Sequence, residues 1–255
     1  TRATREDNAY WVYDYDSLGQ VKSGKKFWSD DTPVAGQQFE YGFDDIGNRK
    51  TAASGGDEWG VNLRYENYTA NNLNQYTQRT VPGSADILGA AHSNSTVTIW
   101  SSNATVMPVV TTRKGEYFRA EVRFTNAAGP VYLGLTNIAV LQTPTNDIIT
   151  TNIASLLHPQ ATESFTYDLD GNLTSDSLWT NTWNAENRRT TVESSSTVPT
   201  AARAREQWTH LPDGRWIERI VSTWSGSAYV PQFTNRYVWD HNVLLAILDH
   251  TNAVA

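Results

Sequence analysis

The strongest constraint in this sequence is a short phrase that it repeats. Tyr15-Asp16-Ser17-Leu18-Gly19 returns as Phe43-Asp44-Asp45-Ile46-Gly47 and again as Tyr167-Asp168-Leu169-Asp170-Gly171. Weaker copies are Tyr68-Thr69-Ala70-Asn71-Asn72, Trp183-Asn184-Ala185-Glu186-Asn187 and His210-Leu211-Pro212-Asp213-Gly214, and Trp239-Asp240-His241-Asn242 is a degraded one. The aromatic positions lie 28, 25, 99, 16, 27 and 29 residues apart, so one long gap interrupts a rhythm of 16 to 29. A phrase recurring on this scale marks stacked supersecondary units.

The phrase has a physical reading. An aromatic residue ends a strand with its ring on the buried face. Asp or Asn then accepts backbone N–H groups at the start of a type I turn, and Gly or Asn takes the left-handed conformation. Each unit is therefore a β-hairpin, which cannot bury its face alone and must stack on its neighbours.

Composition agrees. The chain holds 31 Thr, 20 Asn, 10 Trp and 12 Tyr but only 5 Lys and 1 Met, so β-branched, aromatic and turn residues crowd out helix formers. Phe118–Phe124 and Thr96–Trp100 alternate as half-buried strands do, and Arg215–Val221 and Asn235–Trp239 have strand composition. Ala201–Glu206 is the best short helix candidate. The expected class is all-β.

The formal charge of −7 argues against a nucleic-acid groove or an anionic membrane as partner. No apolar run reaches the ~20 residues of a membrane-spanning helix. With no Cys, disulfide frameworks, thiolate metal sites and Cys nucleophiles are excluded. The polar opening Thr1-Arg2-Ala3-Thr4-Arg5 carries no signal-peptide pattern and reads as the start of an excised piece of a longer chain.

The linked Tyr-Asp-x-x-Gly-Asn/Arg cores resemble the Rhs/YD-repeat family, above all Tyr167–Thr174 with the following Trp183–Arg188, and the resemblance covers roughly residues 10–93 and 160–250. It implies hairpins spiralling into a curved shell that encloses a toxic cargo domain, or that serves as an adhesive surface, in a bacterial protein that is secreted or held at the cell surface. The family's Asp-Pro-x-Gly element and Asn-Leu-Tyr-Tyr stretch, parts of an aspartyl autoproteolytic core, are absent. Some seven hairpins are too few to enclose a protein, so the expected partners are the remainder of a parent shell or its cargo. Exposed sheet edges in such a segment predict self-association.

The organisation follows: repeats over 1–93, a β-sandwich-like insert over 94–143, a polar linker over 144–159 and repeats again over 160–255. The insert is expected to hold five strands, Val97–Trp100, Val106–Val110, Tyr117–Phe124, Pro130–Leu135 and Ile138–Leu141.

Several patterns invite chemistry. Gly19–Lys26 nearly matches a phosphate-binding loop but lacks the closing Ser or Thr and a following helix. Asp168, Asp170, Asn172, Thr174 and Asp176 alternate like early calcium ligands, yet Trp179 stands where the bidentate Glu belongs, and repeated Asx turns explain Asp168 and Asp170 without metal. No cofactor is expected, with calcium as the alternative. His92, His158, His210, His241 and His250 show no metal or catalytic spacing.

The enzymatic alternative is a hydrolase, most plausibly a glycosidase, with a carboxylate pair drawn from Asp14, Asp16, Asp44, Asp45, Asp168, Asp170 and Glu186. Asp44, Asp168, Asp170 and Glu186 are its chief candidates. A third alternative is a carbohydrate-binding surface built on Trp and Tyr platforms. Against both stands the bland assignment: the acids cap turns and the aromatics fill repeat slots.

Overall fold

The computed structural model describes residues 1–6 and 8–254. Among them there is no α-helix, and every sheet is an open, antiparallel one. The chain divides into two compact units, Thr1–Ala128 with Leu133–Thr162, and Gly129–Tyr132 with Glu163–Ala255.

In the first unit, seven strands follow one another across a sheet in chain order: β1 (Arg2–Thr4), β2 (Tyr10–Tyr15), β3 (Val21–Phe27), β4 (Pro33–Phe43), β5 (Arg49–Gly55), β6 (Leu63–Ala70) and β7 (Tyr76–Thr80). Neighbours in sequence pair because loops of five to seven residues join them, which is the hairpin logic of the repeat. Next come β8 (Ser84–Ala90), β9 (Thr96–Ser101), β10 (Val109–Val110), β11 (Thr112–Lys114), β12 (Tyr117–Arg123), β13 (Val131–Leu141) and β14 (Ile148–His158). These form two small sheets, β10-β9-β13-β14 and β11-β12-β8.

Strand alternation supplies the insert's core. Val97 and Ile99 of β9, Phe118, Ala120 and Val122 of β12, and Leu133 and Leu135 of β13 are all buried. The residue between two of them, Arg119, is buried as well, because the other face of β12 holds an ion network. Arg64 of β6 and Arg119 both pair with Asp86 of β8, and Glu121 lies 3.7 Å from Arg64 and 3.4 Å from Arg119. Gly55 is fitted to this cluster: its φ is +99°, and a Cβ there would meet the Arg64 guanidinium at 2.6 Å. Lys114 to Asp30 (2.5 Å), the Tyr117 hydroxyl to the Ala35 carbonyl (2.5 Å) and Tyr117 edge-on to Trp28 fasten the insert to the repeat sheet.

The second unit is simpler. After β15 (Thr162–Ser164), its sheet runs in chain order through β16 (Thr166–Tyr167), β17 (Leu173–Ser175), β18 (Trp179–Trp183), β19 (Arg189–Ser194), β20 (Ala204–His210), β21 (Trp216–Trp224), β22 (Tyr229–Asp240) and β23 (Val243–Leu248). Among the described residues of this unit from Glu163 on, Val198 alone is a buried apolar side chain.

Four expectations need correction. The segment read as a polar linker forms β14, an eleven-residue strand, because Ile148, Ile149, Ile153, Leu156 and Leu157 outweigh its Thr and Asn. Pro130–Leu135 and Ile138–Leu141 are one strand, β13. The Ala201–Glu206 helix candidate is a single 3-10 turn, Thr200–Ala202, running into β20. Trp239–Asn242 is no repeat copy: Asp240 pairs directly with Val243, leaving a two-residue loop with His241 at φ +49°.

Candidate functional site

The repeat phrase folds into one turn, whose pair of hydrogen bonds is made ten times among the described residues. The first residue's N–H donates to the fifth residue's carbonyl, and the fourth residue's N–H donates to the first residue's carbonyl, both at 2.8–3.1 Å. The first and fifth residues are 5 and 9, 16 and 20, 28 and 32, 44 and 48, 57 and 61, 71 and 75, 168 and 172, 184 and 188, 211 and 215, and 249 and 253. The fourth position is left-handed in all of them: Asn8, Gly19, Asp31, Gly47, Gly60, Asn74, Gly171, Asn187, Gly214 and Asn252 have φ between +57° and +95°. This is a type I turn closed by a bulge, and the left-handed position is why Gly or Asn recurs there.

The repeat residues take their places accordingly. Tyr15, Phe43, Tyr167, Trp183 and His210 each sit where the strand register slips just before the turn. In the 71–75 turn this slot belongs to Ala70, not Tyr68, which lies two residues earlier and packs on Tyr76 at 5.2 Å. Tyr15 is 42% exposed, so the slot does not by itself bury a ring.

The first residue of the turn decides what the carboxylates do. Asp44 Oδ1 accepts the N–H groups of Ile46 (3.1 Å) and Asn48 (2.8 Å), and Asp168 Oδ1 those of Asp170 (3.0 Å) and Asn172 (2.8 Å). Their Oδ2 atoms accept from Asn48 Nδ2 and Asn172 Nδ2, each at 3.0 Å. These side-chain amides, helped by the backbone donors, hold both carboxyls below the usual range. Asp16, Asp57, Asp249 and the oxygens of Asn71 and Asn184 cap their turns in the same way. Asp213 instead pairs with Arg215, and Glu186 pairs with Arg188 at 2.8 Å.

The fifth position carries a role that the sequence pattern does not reveal. It reaches sideways to the next turn of the sheet. Asn48 Nδ2 donates to Asn74 Oδ1 (3.2 Å), and Asn172 Nδ2 donates to Asn187 Oδ1 (2.8 Å), each target being the left-handed residue of the neighbouring turn. Arg188 donates to the carbonyls of Leu211 (2.7 Å) and Pro212 (2.6 Å). Gln20 points the same way, its Nε2 3.1 Å from where a Cβ on Gly47 would stand. Turns are thus riveted to turns along one border of each eight-stranded sheet.

The other patterns resolve into ordinary parts. Gly19–Lys26 is a turn end followed by β3. Asp176 caps Leu178 and Trp179, each N–H at 2.7 Å. Among the described residues no group of three or more His, Asp or Glu is arranged to hold a metal, and no helix is long and apolar enough to cross a membrane.

One surface of the second unit has a ligand-sized hollow, with a volume of about 500 Å³. Arg188, Arg189, Glu206, Trp208, His210, Gly214, Trp216, Arg219 and Tyr237 line it. Arg189 lies over the Trp208 ring at 4.8 Å, Trp216 meets Tyr237 edge-on at 6.1 Å, and Arg219 is paired with Glu206. Burial, and then the Arg188 charge, lower the His210 pKa, so a neutral ring faces the hollow, its Nδ1 without a hydrogen-bond partner. The sequence places these residues on separate strands and shows no spacing that joins them.

No family model matches the chain, and no curated protein matches it. Among solved structures it is similar to the crystal structure of TcdB2-TccC3 without its hypervariable C-terminal region, at 13% identity and a TM-score of 0.32. That likeness covers 98% of this chain and 12% of the other, so the chain spans about an eighth of its length.

Proposed function

We propose that this chain is a non-catalytic wall segment of an Rhs/YD-repeat protein, secreted or displayed by a bacterium. It builds part of a container for a cargo domain or of an adhesive surface, and its partners are the rest of that wall and what the wall encloses. The observation that carries this reading is the tenfold turn, with its fifth residue tied to the next turn wherever Asn48, Asn172 and Arg188 stand. Such a device extends a sheet hairpin by hairpin. It also occupies both oxygens of Asp44 and Asp168 with N–H donors, which suits support better than proton transfer.

The test is a screen of chromogenic glycosides and esters beside an Asp168→Asn variant. The wall reading expects no turnover from either protein and a lower melting point for the variant. Turnover that vanishes in Asp168→Asn would replace it with the hydrolase.

A second reading, carbohydrate binding, is favoured by the hollow of Trp208, Trp216 and Tyr237, whose rings offer apolar faces beside the donors of Arg189. A glycan array should then light up with the native chain and fall silent with Trp208→Ala. Equal signals from both proteins would remove the hollow from consideration.

A further inference from the structure

We infer that β14 is a self-pairing edge, joining two copies of this chain antiparallel about Thr151. Sheet edges in this protein are mostly short or occupied. β1, β10, β11, β15 and β16 have two or three residues each, β8 carries Asp86, and the end of β23 is met by a bridge from Leu248 to Val254. β14 is the longest edge at eleven residues, and Ile148–Leu157 holds no charge, Pro or Gly. The devices that keep sheet edges apart are therefore missing from it. Its first eight residues are exposed, with Ile149 at 63% and Ile153 at 79%.

The occupant follows from charge and symmetry. Copies of a chain with net charge −7 repel one another, and an uncharged strand is where they meet with least opposition. A two-fold axis perpendicular to the sheet keeps each face on its own side, so opposed residues have the same parity. Thr150 and Asn152 look toward the insert, where they line a cavity of about 310 Å³ with Phe118 and Asn137. The other face bears Ile149, Thr151 and Ile153. Centred on Thr151, the pairing sets Ile149 against Ile153 of the second copy twice and Thr151 against itself, all β-branched pairs that favour antiparallel sheets. This inference goes beyond the wall reading and survives if that reading fails, because the hydrolase screen and the assembly state are separate readouts.

The chain lacks cysteine, so a single introduced thiol reports unambiguously. Light scattering should give twice the 28.5 kDa chain mass at micromolar concentration. Thr151→Cys should oxidise to a covalent dimer in high yield, and Thr150→Cys, which faces Asn152, should not. Ile153→Lys, at an exposed position, should return the monomer with an unchanged circular dichroism spectrum, while Leu245→Lys on β23 should leave the dimer. A native monomer up to about 100 µM, a dimer that survives Ile153→Lys, or equal cross-linking at residues 150 and 151 would each overturn the assignment.

Discussion

The insert and the second unit are both antiparallel β structure of similar composition, yet they are held together differently. The insert has two sheets with Ile99, Val122 and Leu133 wholly buried between their strands. The second unit has an eight-stranded sheet, and from Glu163 on Val198 is the one buried apolar side chain among its described residues. Its order rests on ladder hydrogen bonds, capped turns, and guanidinium groups laid on rings, such as Arg203 over Trp224, Arg205 over Tyr229 and Arg219 over Phe233. The contrast teaches that the repeat does not need to make a core. It needs turns of one geometry that lock to each other, and a sheet made that way remains free to be covered by something else.

Substitutions can break or sharpen this contrast. The largest loss is expected at Arg119, which is buried against Asp86 with 8% of its side chain exposed. Arg119→Ala should cost about 3–5 kcal/mol in urea unfolding, because it leaves Arg64 as the one buried guanidinium facing both the Asp86 and Glu121 carboxylates. The matching change in the second unit, Arg219→Ala, should cost under about 1 kcal/mol, since its pair with Glu206 is a third exposed and screened. Next is Leu133→Ala, which opens a cavity in the insert and should cost about 2–5 kcal/mol. No single apolar truncation in the second unit should approach that value.

Smaller effects belong to the turns. Asp168→Ala leaves the N–H groups of Asp170 and Asn172 without their acceptor and should lower the melting point by about 2–4 °C. Asn172→Ala removes the rivet to Asn187 as well as a donor to Asp168, so Asp168→Ala and Asn172→Ala together should cost less than the sum of the two single changes.

The smallest expected effect is on pH dependence. Burial lowers the pKa of His158 in the first unit and of His210 in the second. The unfolded imidazole, near 6.5, takes up a proton that the folded one resists, so stability is full above about pH 6.5 and declines below it. Asp44 and Asp168 are shifted down, so their contribution holds above about pH 4 and is lost only as pH falls through their folded values. His158→Gln should make the upper window shallower, leaving the share that His210 contributes, and leave the lower one unchanged.

What the sequence allowed was governed by steric need. Tyr-Asp-x-x-Gly could be recognised because a left-handed fourth residue admits Gly or Asn almost alone. The same turn is hidden where Arg5 and Trp28 replace the acid, with Asn8 at φ +60° and Asp31 at φ +64°, and at 57–61 and 249–253, where Gly56 and Leu248 stand in the aromatic slot. The spacing Asp57-x-x-Gly60 and Asp249-x-x-Asn252 was the available signal. The rivets at Asn48, Asn172 and Arg188 were not legible, because they depend on which turn lies alongside. Nor was the Arg64–Asp86–Arg119 network, whose members come from three strands with no common period. In β14, Thr150, Thr151 and Asn152 gave a polar average that hid the flanking isoleucines.

Amide hydrogen exchange tests the central contrast most directly. The account predicts the slowest exchange in β9 and β12, around Ile99 and Val122. It predicts markedly faster exchange through β18–β22, with the capped amides of Asn48 and Asn172 as protected as their neighbouring ladder amides. Exchange in β18–β22 as slow as that of the insert would contradict it, and would mean that the second unit is stabilised by something other than its turns and its surface pairs.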